Sequence, residues 1–79
     1  MSRPRRDKAQ ETNSPFKRLR LKAKLSQEAL AREIGVAVST IRRWEKGTAE
    51  PTMTVAQMRN FCNAVKQNFE ELPESLKPE

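Results

Sequence analysis

Seventy-nine residues suffice for one small domain, and 16 Lys and Arg against 10 Asp and Glu give it a net charge of +6. With 35% hydrophobic and 33% charged residues, the chain can bury only a single modest core, which argues against a large enclosed substrate cavity. The absence of histidine and the single cysteine, Cys62, argue against a structural zinc site, rule out an internal disulfide and fit a reducing compartment.

No window approaches the roughly 18 apolar residues that span a bilayer, and the basic stretch Met1 to Lys8 has no apolar run after it. A cytoplasmic protein without a membrane segment, metal or cofactor is therefore expected. The charge is uneven. Residues 1–25 carry nine basic and two acidic side chains, a balance of +7, while residues 26–79 carry seven basic and eight acidic, a balance of −1. The basic end points to a polyanionic partner.

Residues 1–13 hold almost nothing apolar and read as a flexible basic arm ahead of a domain over 14–72, with 73–79 as a frayed tail. Ser14-Pro15 predicts the start of a first helix, because serine caps free amides and proline supplies the φ of a first helical residue. That helix is expected to run to Lys24 and to bury Phe16, Leu19 and Ala23, with Leu21 off the stripe. Ser26 predicts the cap of a second helix over Gln27 to Ile34, which buries Leu30, Ala31 and Ile34 and stops at Gly35. A third helix begins near Ser39, turns Ile41 and Trp44 inward and stops at Gly47.

Thr48 to Pro51 reads as a loop. A fourth helix follows from about Thr52 to Thr54, with Val55, Met58, Phe61, Cys62 and Val65 as its buried face. Phe69 to Leu72 is expected to add a short fifth helix before Pro73. With no strand-like alternation and no internal repeat, the fold class is all-α, a compact bundle of four to five helices.

The segment Gln27 to Glu45 carries the functional signal. Leu30 and Ile34 bury one helix, Ala31 is small where a second must cross it, Gly35 permits a sharp turn, and Val36, Ile41 and Trp44 plug the angle between them. That combination is the pattern of a helix-turn-helix. Leu25-Ser26-Gln27-Glu28-Ala29-Leu30-Ala31, Ile34-Gly35-Val36, Ser39-Thr40-Ile41, Arg43-Trp44-Glu45, Lys46-Gly47 and Pro51 together resemble the Cro and phage-repressor type of DNA-binding domain, often called XRE-type. The resemblance covers about Phe16 to Leu72. It implies a lambda-repressor-like five-helix bundle that places the third helix, around 38–46, in the major groove of double-stranded DNA.

If Ile41 and Trp44 face inward, Val38, Ser39, Arg42 and Arg43 face outward. Arg43 is expected to read a base, since a guanidinium pairs bidentately with guanine; Val38 suits a thymine methyl, and Ser39 and the neighbouring Thr40 suit polar base edges. Arg42 is expected on a phosphate. Gln27, at the start of the second helix, would hold another phosphate with the free amides there, and Lys46, Thr48 and Lys17 would clamp the same backbone. The basic arm residues Arg3, Arg5 and Arg6 are expected either to follow the minor groove or add nonspecific attraction, or to serve equally as an unstructured solubility segment.

Four residues read as structural. The resemblance implies an ion pair between Arg20 and Glu45 that ties the third helix to the scaffold. The spacing of Trp44 from Ile41 favours core packing over base stacking, and Cys62 reads as a small core residue.

Four departures from the family pattern stand out: Ala37 replaces the usual cap of the third helix, Leu21 is apolar, Thr52 to Asn60 is slightly long, and residues 66–72 lack a glycine. No ligand-sensing domain is expected, so regulation is expected to come from expression level, a protein partner or a homodimer. The leading expectation is a sequence-specific transcriptional regulator. The alternative is a protein-interaction module of the same fold, an antitoxin or adaptor, supported by Leu21 and the acidic residues Glu70, Glu71, Glu74 and Glu79. No histidine, no tyrosine and no glycine-rich phosphate loop leave an enzyme without an acid, base and nucleophile constellation. Membrane-surface binding fails because the apolar residues of the first helix are needed in the core.

Overall fold

Phe16 is the residue around which the helices meet. The computed structural model describes residues 13–78. In it the Phe16 ring stacks on Phe61 with centroids 5.0 Å apart and meets the edge of Trp44 at 5.4 Å. Helices α1 (Pro15–Lys22), α2 (Gln27–Ile34), α3 (Val38–Lys46) and α4 (Val55–Val65) are followed by a 3₁₀ turn, Phe69–Glu71. No strand is present among the described residues. The buried core is Phe16, Leu30, Ala31, Ile34, Ile41, Trp44, Phe61 and Val65. All four helices contribute to it, and α2 packs most extensively against α4 and α3.

Local chemistry explains the boundaries. Ser14 Oγ accepts from the Lys17 amide at 3.1 Å with Pro15 in the first helical position, and Ser26 Oγ accepts from the Ala29 amide at 2.9 Å. Gly35 at φ 87° closes α2 in the left-handed region, where a β-carbon is unfavourable. Thr54 and Gln57 form a reciprocal capping box at the start of α4, through bonds of 3.0 and 2.9 Å.

Several expectations are corrected. The first helix ends at Lys22, two residues early, because Lys24 turns left-handed at φ 62° and the Leu25 amide donates back to the Arg20 carbonyl. The third starts one residue early, at Val38. The fourth begins at Val55, and that residue is 77% exposed instead of buried, because the first turn of α4 projects past the core. Cys62 is half-buried and lies outside the core cluster instead of within it, and this partial burial pushes its thiol up from its ordinary value.

The missing glycine before the closing turn is replaced by Lys66, which takes the left-handed cap position itself at φ 61°. The fifth helix is a single 3₁₀ turn. In the expected tail, Leu76 packs against the core and Lys77 pairs with Glu50 at 3.0 Å. The proposed arm, with Arg3, Arg5 and Arg6, lies outside the described residues but for Asn13.

Candidate nucleic-acid interface

The geometry of the candidate surface follows from what α3 buries. Ile41 and Trp44 are 0% and 4% exposed, and this inward pair leaves Ser39, Arg42, Arg43 and Lys46 exposed along the rest of the helix. Gly47, at φ 88°, ends α3 by donating its amide to the Arg43 carbonyl at 3.0 Å, and Thr48 leaves the helix beside it. Ala37 makes no side-chain cap, so the first-turn amides of α3 lack the serine or threonine hydroxyl that usually serves them.

Glu45 fixes the helix from behind. Its Oε2 accepts from Arg20 Nε at 2.7 Å and its Oε1 from Arg20 Nη2 at 3.1 Å, a bidentate pair, while Arg20 Nη1 donates to the Leu25 carbonyl at 2.8 Å. The two side chains are only 7% and 5% exposed. Every nitrogen of the guanidinium thus has an acceptor in the α1–α2 turn or on α3, and the ion pair that the resemblance implies is present.

A second layer of contacts reaches outward from this pair. Gln27 Nε2 donates to Glu45 Oε1 at 3.0 Å, and Gln27 Oε1 accepts from Arg42 Nε at 3.3 Å. Arg42 Nη2 also lies 3.8 Å from Glu28 Oε2. The chain Arg20, Glu45, Gln27, Arg42 therefore runs without a break from the core to the exposed face of α3. Both ends of the Gln27 amide are engaged, so this side chain orients Arg42 toward the first turn of α2. Sequence spacing carries no signal for these links, because they join residues of different helices through side-chain amides.

Arg43 stands apart from that network. Its guanidinium is exposed, with Nη2 at 3.5 Å from Thr40 Oγ1, and its carbonyl accepts from the Thr48 hydroxyl at 3.3 Å. Arg43 thus meets Thr40 through its guanidinium and Thr48 through its backbone carbonyl, whereas Arg42 is tied to Gln27. Ser39, Lys46 and Thr48 are exposed. Val38 departs from its expected outward position, since it is half-buried and packs against the core. Lys17 is half-buried on α1 and has no part in the hydrogen bonds of Gln27 and Arg42.

Among the described residues no group of acidic, cysteine or histidine side chains is arranged to hold a metal ion, and no helix is long and apolar enough to cross a membrane. A family model described as helix-turn-helix matches residues 16–58, more than half of the chain. No curated protein and no solved structure matches it.

Proposed function

The chain belongs to the Cro/C1-type helix-turn-helix family of DNA-binding domains, and on that premise we propose that it is a sequence-specific transcriptional regulator that inserts α3 into the major groove of double-stranded DNA. The observation that carries the proposal is the division of α3 into a face locked by Ile41, Trp44 and Glu45 and a face that exposes Ser39, Arg42, Arg43 and Lys46. Arg43 is the base-reading residue, because its guanidinium projects from α3 without an acidic partner and can pair bidentately with guanine O6 and N7. Ser39 and Thr40 meet polar base edges. Arg42, steered by Gln27 and Glu28, meets a phosphate, as do Lys46, Thr48 and, from α1, Lys17. Gln27 works chiefly by orienting Arg42. On this reading the protein acts at the nucleoid of a bacterial cytoplasm.

Selection of random duplex DNA by the purified protein tests the proposal. Enrichment of one motif supports it, and binding without enrichment that vanishes as salt rises defeats it. Arg43→Ala then relaxes preference at one base-pair position, a loss of about 1–3 kcal/mol of discrimination. Lys46→Ala weakens binding to all duplexes alike and lowers the salt slope by about one.

A second reading rests on a groove beside α4. Val55 and Phe69 are 77% and 66% exposed and flank an apolar groove lined by Met53, Met58 and Cys62. Its occupant is a second copy of the chain. Arg59 borders this groove, and Glu70 and Glu74 border the adjoining cleft, so the surface offers both signs of charge to a partner. Two α3 helices would then read two half-sites. Val55→Asp with Phe69→Ser abolishes self-association in sedimentation if this is right; a wild-type protein that stays monomeric hands the surface to a different protein, the antitoxin or adaptor role.

A further inference from the structure

The stretch after the 3₁₀ turn folds back on the loop that leaves α3. Leu72 and Leu76 pack against the core, and the Lys77 amide donates to Ser75 Oγ at 3.2 Å, which turns the chain locally. Lys77 Nζ then lies 3.0 Å from Glu50 Oε2. Pro78 covers Gly47 so closely that a β-carbon there would stand 3.2 Å from Pro78 Cγ. These contacts converge on residues 47–50. Within that loop the internal side-chain bonds are few: Thr48 Oγ1 to the Arg43 carbonyl at 3.3 Å, and Thr52 Oγ1 to the Glu50 carbonyl at 3.1 Å. The loop is tied to the end of α3 by the Gly47 and Thr48 amides and to the core by Ala49, and the tail adds contacts at Gly47 and Glu50 from outside.

We propose that residues 75–78 are a strap that holds the loop 47–50 and so sets Lys46 and Thr48 in register with a phosphate of duplex DNA, with Lys77 and Pro78 as positioning residues for that contact. The inference rests on the DNA-binding reading above and adds to it a part of the chain beyond the matched residues 16–58. Two effects of the ion pair act together. It restrains the loop, and it offsets the Glu50 carboxylate, which would otherwise face the phosphates unneutralised. Charge alone and restraint predict opposite results at Glu50, and this makes the strap testable.

The experiment compares wild type, Glu50→Ala, Lys77→Met and Pro78→Gly for binding to the selected duplex at fixed salt, and for amide hydrogen exchange without DNA. Glu50→Ala removes a negative charge, so simple electrostatics predicts tighter binding. The strap predicts binding weakened about two- to fivefold, the range of an exposed ion pair, with a similar loss in Lys77→Met and Pro78→Gly. It also predicts faster exchange at the Gly47 and Thr48 amides, which donate to the Arg43 carbonyl at 3.0 and 3.1 Å. In a Lys46→Ala, Thr48→Ala background the Glu50→Ala loss disappears, whereas a merely structural effect persists. Equal or tighter binding by Glu50→Ala, or unchanged exchange, overturns the strap in a protein that still binds DNA. A wild-type protein that selects no duplex defeats the DNA-binding reading itself, and the exchange result then separates the two failures.

Discussion

Two ion pairs flank the C-terminal end of α3, and water treats them differently. Arg20 and Glu45 join with side chains 7% and 5% exposed, while Lys77 and Glu50 join with side chains 56% and 66% exposed. The inner pair is further hydrogen-bonded by Gln27 and the Leu25 carbonyl, and no buried side-chain nitrogen or oxygen among the described residues lacks a partner. The outer pair is a single contact in solvent. The inner pair therefore governs whether α3 is seated at all, and the outer pair governs how the segment after it is presented.

The largest expected effect breaks the inner pair. Arg20→Met leaves the Glu45 carboxylate buried with Gln27 alone, at a cost of about 3–5 kcal/mol of unfolding free energy. For a chain of this size that is a large part of a total of about 4–12 kcal/mol. Glu45→Leu is expected to cost a similar amount, because it strands the guanidinium. The double variant Arg20→Met, Glu45→Leu regains most of the loss, since an apolar pair needs no compensation. Urea unfolding of the two singles and the double checks this. Singles that cost less than about 1 kcal/mol would make the inner pair no different from the outer one.

Next come the two glycines that end α2 and α3, which share a left-handed conformation, φ 87° and 88°, but not their surroundings. A β-carbon at Gly35 would meet nothing within 4 Å, whereas one at Gly47 would meet Pro78. Gly35→Ala and Gly47→Ala are each expected to lose about 1–2 kcal/mol from the backbone alone. Only Gly47→Ala also displaces the strap, visible as faster exchange at the Lys77 amide and weaker DNA binding. Equal DNA binding by the two variants would mean that Pro78 yields without consequence.

A smaller effect, of the opposite sign, lies at the other end of α3. Ala37→Ser supplies the missing cap and is expected to raise stability by about 0.5–1 kcal/mol in thermal or urea unfolding. No gain would indicate that the first-turn amides are already adequately solvated.

The contrast between the pairs also marks what was legible in the sequence. Caps and stops such as Ser14, Ser26, Gly35 and Gly47 act over three or four residues, so their signals survive in one dimension, and α2 was bounded by them to the residue. Phe16, Leu30, Ile41 and Trp44 followed from helical spacing for the same reason. Val55 did not: it continues the apolar period of α4, yet its turn projects beyond the neighbouring helices, and period alone does not say where the neighbours end. The Arg20–Glu45 pair was reached through the family resemblance, whereas the links from Gln27 to Glu45 and Arg42 cross between helices with nothing local to announce them. The strap was hidden most completely, because Pro73 to Pro78 has no periodicity and its anchors, Gly47 and Glu50, belong to a loop.

The smallest expected effect breaks the outer pair. Lys77→Met loses one exposed contact, so its unfolding free energy should fall by less than about 1 kcal/mol. Raising the salt to about 0.5 M should shrink even that difference, since the Debye length there is only a few ångströms. Arg20→Met should keep its deficit at the same salt, because its charges are shielded from ions as well as from water. A Lys77→Met deficit as large and as salt-resistant as that of Arg20→Met would show that the tail belongs to the folding core. A small, salt-sensitive one leaves the loop free to be held or released with little change in the stability of α3, which is the condition under which a strap can alter how tightly DNA is gripped without unfolding the domain.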